Sequence, residues 1–174
     1  MKISSREFMT IEWRFPLFGL LMALFSSLGQ TFFISLFSSK IRDALSLSHG
    51  DFGTYYAIAT TASAITLLWL GKLADVMRVE KLALVVLMSL SGAALFFSQV
   101  QSVTMLLIGL FMLRLFGQGM TTHTYATAIA RRYISARGRA LSIAQLGHTL
   151  GESIAPISVV SMMLVIDWRT IWMI

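Results

Sequence analysis

Arg114, Glu152 and His148 are the residues whose chemistry this sequence must account for. Arg114 interrupts a stretch that carries no other charge from Leu82 to Ala130. A guanidinium is planar, stays charged and takes a carboxylate on two parallel N–H groups, so a lone arginine in apolar surroundings points to anion recognition or to an ion pair. His148 and Glu152 are four residues apart and share a helix face, where a titratable imidazole beside a carboxylate could relay protons near neutral pH. Gln30 and Thr31 are a further polar pair in an apolar run, able to bond a solute or a neighbouring helix. Other chemistries find little support. The chain has no cysteine and three histidines, and His148 with Glu152 gives only two candidate zinc ligands, so no metal or cofactor is expected. No Gly-rich phosphate loop, Ser-His-Asp set or catalytic carboxylate pair emerges, which argues against an enzyme and against ATP-driven work.

The elements that hold these groups are set by composition. Of the 174 residues 56% are hydrophobic and 13% charged, and the mean hydropathy is +0.76. A soluble domain of this size cannot hide so much apolar surface, whereas lipid accepts it. Uncharged runs predict membrane-spanning helices at about Phe15–Phe37, Phe52–Leu70, Leu82–Phe97, Val103–Ala130 and Ala140–Ile166. The turn after the last is Asp167-Trp168-Arg169, and Thr170 to Ile174 begins a sixth. A polar link, Ser98 to Ser102, divides a run too long for one crossing. The apolar residues lie all round these segments and show no short alternating pattern, so helices rather than barrel strands are expected. The fold class is all-α membrane protein, a bundle of about five transmembrane helices plus the start of a sixth.

By 1.5 Å per residue, Arg114 lies roughly 16 Å into the fourth span and Glu152 roughly 18 Å into the fifth. Both are close to mid-bilayer, where an unpaired charge costs at least a few kcal/mol. Three readings stay open: a structural ion pair, a cavity lined by both that binds solute or protons, or a contact with parts of the protein outside this chain. His123 falls near the end of the fourth span and reads as interfacial. Tyr55, Tyr56 and Trp69 read as span-end anchors.

The net charge of +6 is a topology signal rather than a nucleic-acid signal, because the basic residues sit between apolar runs. Ten Lys and Arg side chains lie before the first span, between the second and third, and between the fourth and fifth, against three in the other links. This predicts a cytoplasmic N-terminal segment over residues 1–14, with links 40–51 and 98–102 outside. The first apolar run is too long for a secretory signal, and no small-x-small cleavage site follows it. Residues 1–174 then form one transmembrane bundle that stops within its sixth segment, expected to be transport-incompetent by itself.

Small residues mark close helix approaches. Gly147, Gly151 and Ala155 recur every fourth residue, with Pro156 expected to bend the helix, and Gly117 and Gly119 do similar work in the fourth span. Between the second and third spans stands Gly71-Lys72-Leu73-Ala74-Asp75, followed by Arg78 and Lys81. This resembles the cytoplasmic loop motif of the major facilitator superfamily, although Val76, Val79 and Glu80 replace basic residues common there. Arg114 to Gly119 is similar to that family's arginine-glycine motif in altered order. Gly147 to Pro156 is similar to its Gly-Pro motif, with Ala155 where a glycine is usual.

The resemblance covers essentially the whole chain as the N-terminal half of a twelve-helix transporter. It implies a secondary transporter that moves a small solute by alternating access, with protons as a candidate coupling ion. The implied site is Arg114, Glu152, His148 and Gln30 along the solute or proton path, with Gly71, Leu73, Asp75 and Arg78 at a cytoplasmic gate. The implied partners are the solute, the bilayer, and a C-terminal half or second copy. Short loops suggest a bacterial inner membrane. For Asp75 a plain helix N-cap is the equal alternative to a gate. For the protein as a whole, the alternative is a non-transporting assembly or regulatory protein derived from a half-transporter.

Overall fold

The computed structural model describes residues 12–174, and the readings that fall on residues 1–11 lie outside it. Among the described residues the chain is helical throughout, without strands. The first span consists of α1 (Arg14–Phe25), a 3-10 turn (Ser26–Gly29) and α2 (Thr31–Leu36), separated by Gln30 in extended backbone. A short α3 (Ser38–Leu45) follows, then α4 (His49–Leu70), a single turn α5 (Leu73–Val76) and α6 (Val79–Ser98). The fourth span runs through α7 (Val103–Met112), a π-helical stretch (Leu113–Met120) and α8 (Thr121–Arg132). The chain ends with α9 (Arg137–Met162) and the short α10 (Trp168–Ile171).

Local sequence explains the boundaries. Ser48 and Asp51 form a reciprocal capping box at the start of α4, the Ser48 hydroxyl accepting from the Asp51 N–H at 3.1 Å and Asp51 Oδ2 accepting from the Ser48 N–H at 3.0 Å. Ser102 caps α7 with a single bond, accepting from Met105 N–H at 3.3 Å. Residues 40–51, expected as an open link, are mostly helical. α3 continues to Leu45, Ser46 turns the chain in left-handed backbone at φ 53°, and α4 starts at His49.

Four helical segments are long and apolar enough to cross a membrane: 14–36, 49–76, 79–98 and 103–132. The fifth expected span is present as α9, whose 26 residues reach about 39 Å. It is less apolar than the others because it also carries Gln145, His148, Thr149, Glu152 and Ser153. The helix continues through Pro156. Large apolar side chains on the outside, such as Leu68 (70% exposed), Met88 (66%) and Ile157 (72%), suit a lipid environment.

The fourth span is the hub. It packs on α1, α4, α6 and α9, so a polar group on it is surrounded by the rest of the bundle. α9 in turn lies along α1. One apolar cluster, built on Phe33, Phe37, Phe97, Leu106, Leu110 and Trp172, closes one end of the bundle. Trp172 there packs its ring against Phe33, Phe37 and Phe97 at 4.8–5.3 Å between centroids. Another cluster, with Met22, Ala23, Tyr125, Ile129, Ala140 and Ala144, joins α1, α8 and α9.

Candidate functional site

The site begins with two irregularities that fit each other. The first span breaks at Gly29-Gln30, and the fourth is underwound into a π-helix at the same level. A Cβ on Gly117 would come within 2.7 Å of the Gly29 backbone, and one on Gly29 would strike Leu113 O, Gln118 N and Gly117 Cα. Only glycine at both positions allows the two backbones to touch. A helix break at membrane depth leaves backbone groups that need a partner inside the protein. Arg114 supplies it: its Nη1 donates to Gly29 O at 3.0 Å and to Thr31 Oγ1 at 3.3 Å. The Thr31 hydroxyl also bonds Tyr56 OH at 2.8 Å, and the Arg114 guanidinium lies 5.4 Å from the Tyr56 ring centroid.

Arg114 is buried, with 8% of its surface exposed, and its partners are a carbonyl, a hydroxyl and an aromatic face. Glu152, in contrast, is exposed on α9, and the ion pairs among the described residues are Arg78–Glu80, Arg131–Asp75 and Arg132–Glu12. The ion-pair reading of Arg114 with Glu152 is therefore corrected. Equal depth on consecutive helices did not give facing side chains.

Arg114 lines a cavity of about 590 Å³ whose wall also contains Gln30, Thr60, Gln118, His123 and His148. Three of the four residues expected along the solute path, Arg114, His148 and Gln30, thus meet at one cavity, and Glu152 stands outside it. The wall contains no carboxylate. Within these wall residues, Arg114 Nε, Gln118 Oε1 and Thr60 Oγ1 are shielded from solvent and have no hydrogen-bond partner among the described residues. Buried polar atoms are ordinarily paired, so these three mark an underbonded part of the helix packing behind the cavity.

His148 is held from two sides. Its Nδ1 is 3.2 Å from Ser26 Oγ and its Nε2 is 3.2 Å from Tyr125 OH. The Ser26 hydroxyl already donates to Ala23 O at 2.7 Å, so Nδ1 donates to Ser26, and in the neutral ring Nε2 accepts from Tyr125 OH. This is a fully satisfied neutral tautomer.

A second polar region lies at the end of the bundle that carries the Gly71–Asp75 loop. Asp75 sits inside the single turn α5, and the residue preceding α6 is Arg78, which corrects the N-cap reading. Asp75 instead pairs with Arg131, whose other arm donates to Ala74 O. His123, expected at an interface, reaches both regions: its Nε2 is 3.0 Å from Gly71 O and its ring lines the cavity. Leu73 and Arg78 face outward, Arg78 in an exposed contact with Glu80 at 3.5 Å. Nearby, Arg132 and Tyr133 bond Glu12 at 2.8 and 3.1 Å. Burial, and then the Glu12 carboxylate, push the Tyr133 phenol up.

The packing glycines occupy a seam. A Cβ on Gly147 would strike Leu20 O, Leu24 N and Ala23 Cβ, and one on Gly151 would strike Ser27 Oγ. Gly119 is looser, with Leu67 methyls 3.3 Å from where its Cβ would be. The residues that sequence reasoning did not assign to the site are Tyr56, Thr60, Gln118, Thr122 and Arg131. Gln118 and Thr122 lie one and two helical turns after Arg114, a spacing that could have signalled a shared wall.

A multi-pass helical bundle with a polar, partly unsatisfied cavity against its central helix is the architecture of a membrane transporter. Residues 19–174 match the family model of the Major Facilitator Superfamily, and the chain belongs to that family. No curated protein and no solved structure matches it.

Proposed function

We propose that the protein is a secondary active transporter and that the Arg114 cavity is its half of a solute site. The single observation that carries this is a buried guanidinium whose partners are all neutral, facing an unfilled space. Arg114 also closes the break at Gly29, but no carboxylate neutralises it among the described residues. An arginine that must exchange a solute has its charge delocalised and positioned by neutral groups, and keeps it available. Alternating access then exposes the cavity to each side in turn, with a C-terminal half or a second copy forming the facing wall.

Proton coupling is assigned to His148 and Glu152, one helical turn apart. A proton added at His148 Nε2 would convert an acceptor into a donor and force Tyr125 OH to turn away. The test is uptake by proteoliposomes holding the assembled transporter. Arg114→Lys keeps a charge but loses the planar fork, and saturable uptake should fall at least about tenfold while the protein still inserts and elutes as one species. Unchanged uptake would remove Arg114 from the solute path.

The basic asymmetry further supports a cytoplasmic N-terminal segment and, with the short loops, a bacterial inner membrane. Because the chain contains no cysteine, Ser46→Cys and Arg137→Cys are clean probes. An impermeant thiol reagent added to intact cells should label the first and spare the second. The reverse pattern would invert the topology.

A further inference from the structure

We infer that the first span is a two-state hinge at Gly29-Gln30, and that Arg114 is the latch that holds it in the broken form. In a continuous α-helix the Gly29 carbonyl would accept from the N–H of Phe33, four residues on. Gln30 lies instead in extended backbone, at φ −82° and ψ 152°, and Gly29 O takes Arg114 Nη1 at 3.0 Å. One acceptor thus has two rival donors, one for each shape of the span. The rest of the break is satisfied locally: Gln30 N–H donates to Ser27 O at 3.0 Å, and Gln30 O accepts from Ile34 N–H at 3.1 Å. Straightening exchanges Arg114 for Phe33 N–H at Gly29 O and leaves that carbonyl paired in both shapes, as membrane depth requires.

The moving part is α2, and its two ends are held differently. At the pivot, Gly29 is pressed against Gly117 so closely that neither could carry a Cβ. Just beyond it the contacts are side-chain bonds that can be exchanged. Arg114 Nη1 also donates to Thr31 Oγ1 at 3.3 Å, and the Thr31 hydroxyl bonds Tyr56 OH of α4 at 2.8 Å. One guanidinium therefore ties α2 to the second and fourth spans. At the far end, Phe33 and Phe37 pack on Trp172 at 5.3 and 4.9 Å, in the aromatic cluster where Leu45, Leu47 and Val100 also lie. A swing of α2 carries Phe33 out of that cluster, so a charge in mid-span sets how tightly this end of the bundle is closed. Where Arg114 turns to meet a solute, the hinge is released in the same step. That last link rests on the cavity reading, and the hinge itself does not.

The test measures distances between paired spin labels by pulsed electron spin resonance on the full chain in lipid nanodiscs, with no native cysteine to interfere. Ser35→Cys with Leu68→Cys reports α2 against α4, and Trp13→Cys with Ile157→Cys reports α1 against α9. Arg114→Met removes the latch. It should shift the ratio of broken to straight spans at least about tenfold, the worth of a hydrogen bond to a charged group, seen as a second Ser35–Leu68 distance. The Trp13–Ile157 distance should not change. Adding Thr31→Pro should restore the parent distance, because proline suits the first position of α2 and disfavours the helical backbone that a straight span needs at Gln30. An unchanged Ser35–Leu68 distance in Arg114→Met would show a static break and overturn the inference. So would a second distance that Thr31→Pro does not remove, or a Trp13–Ile157 distance that broadens with or without the proline, which would make Arg114 a support for the whole bundle. Unchanged uptake in Arg114→Lys would fell the cavity reading and leave the hinge standing.

Discussion

The α1–α9 seam and the Arg114 cavity are both built from glycines and small polar residues on the same helices, yet they are finished in opposite ways. In the seam, Gly147 leaves no room for one more carbon atom, and Ala140 and Ala144 are fully buried beside it. In the cavity, Gly29 and Gly117 bring two backbones together, but the side chains beyond them stop short and leave polar atoms unpaired. Lipid supplies no hydrophobic force between helices, so close packing of small residues holds the bundle, and the seam does this. The cavity works against stability: it combines a buried charge, a broken helix and a π-helical stretch, features that proteins retain where function requires them. The seam is a fixed wall on which the cavity is built.

The sharpest way to break this contrast is to add volume to the seam. Gly147→Leu would drive a side chain into the backbone of Leu20 and Leu24, which cannot move aside as a flexible side chain could. Overpacking of a tight contact costs about 1–3 kcal/mol even where the neighbours can shift, and more where they are backbone. The variant should lose its monodisperse peak in size-exclusion chromatography and unfold well below the parent in a thermal melt. A well-folded Gly147→Leu protein would show that α1 and α9 can separate, and that the seam moves.

The bundle was legible in the sequence because uncharged run length is a strong signal of membrane helices, and the loop motif at Gly71–Asp75 identified the family. The seam was legible too, since glycines at a spacing of four on an apolar helix have few other uses. The interior of the site was not. Arg114 could be placed by depth, but its rotation about the helix axis depends on the π-helical stretch, which turns at a different rate from an α-helix and leaves no mark in hydropathy. The assignment of Glu152 as its neighbour failed because depth on α9 does not fix which face Glu152 takes, and that face points outward. Tyr56 was misread because an aromatic near a span end resembles an interfacial anchor, whereas the break at Gly29 brings Thr31 within reach of it. Asp75 was ambiguous because its partner, Arg131, is 56 residues away.

A smaller effect of opposite sign is expected inside the cavity. Thr60 Oγ1 is buried and unpaired, and such a group costs about 1–3 kcal/mol. Thr60→Val replaces the hydroxyl with a methyl of nearly the same size, so the solute-free protein should become more stable by up to about that amount, read as a rise in melting temperature. Seam and cavity would then answer opposite perturbations in opposite directions: added carbon destabilises one, and removed polarity stabilises the other. A drop in melting temperature for Thr60→Val would mean that its hydroxyl is already satisfied and that the cavity is less strained than the seam comparison implies.

The smallest effect on stability is expected at Glu152, which belongs to neither region. It is exposed on α9, between the buried Gly151 and the outward-facing Ser153, and makes no ion pair among the described residues. Glu152→Gln keeps the shape and removes the charge, so the melting temperature should stay where a change within about 0.5 kcal/mol would leave it. Its effect should appear in coupling instead. With the carboxylate gone, His148 loses the anion one helical turn away. Uptake driven by an imposed pH gradient should therefore fall more than counterflow exchange, which needs no net proton movement. If both modes fall together, Glu152 acts on the solute path rather than on protons. If neither changes, Glu152 has no part in coupling, and any proton taken up by His148 must come through Tyr125 or directly from the cavity.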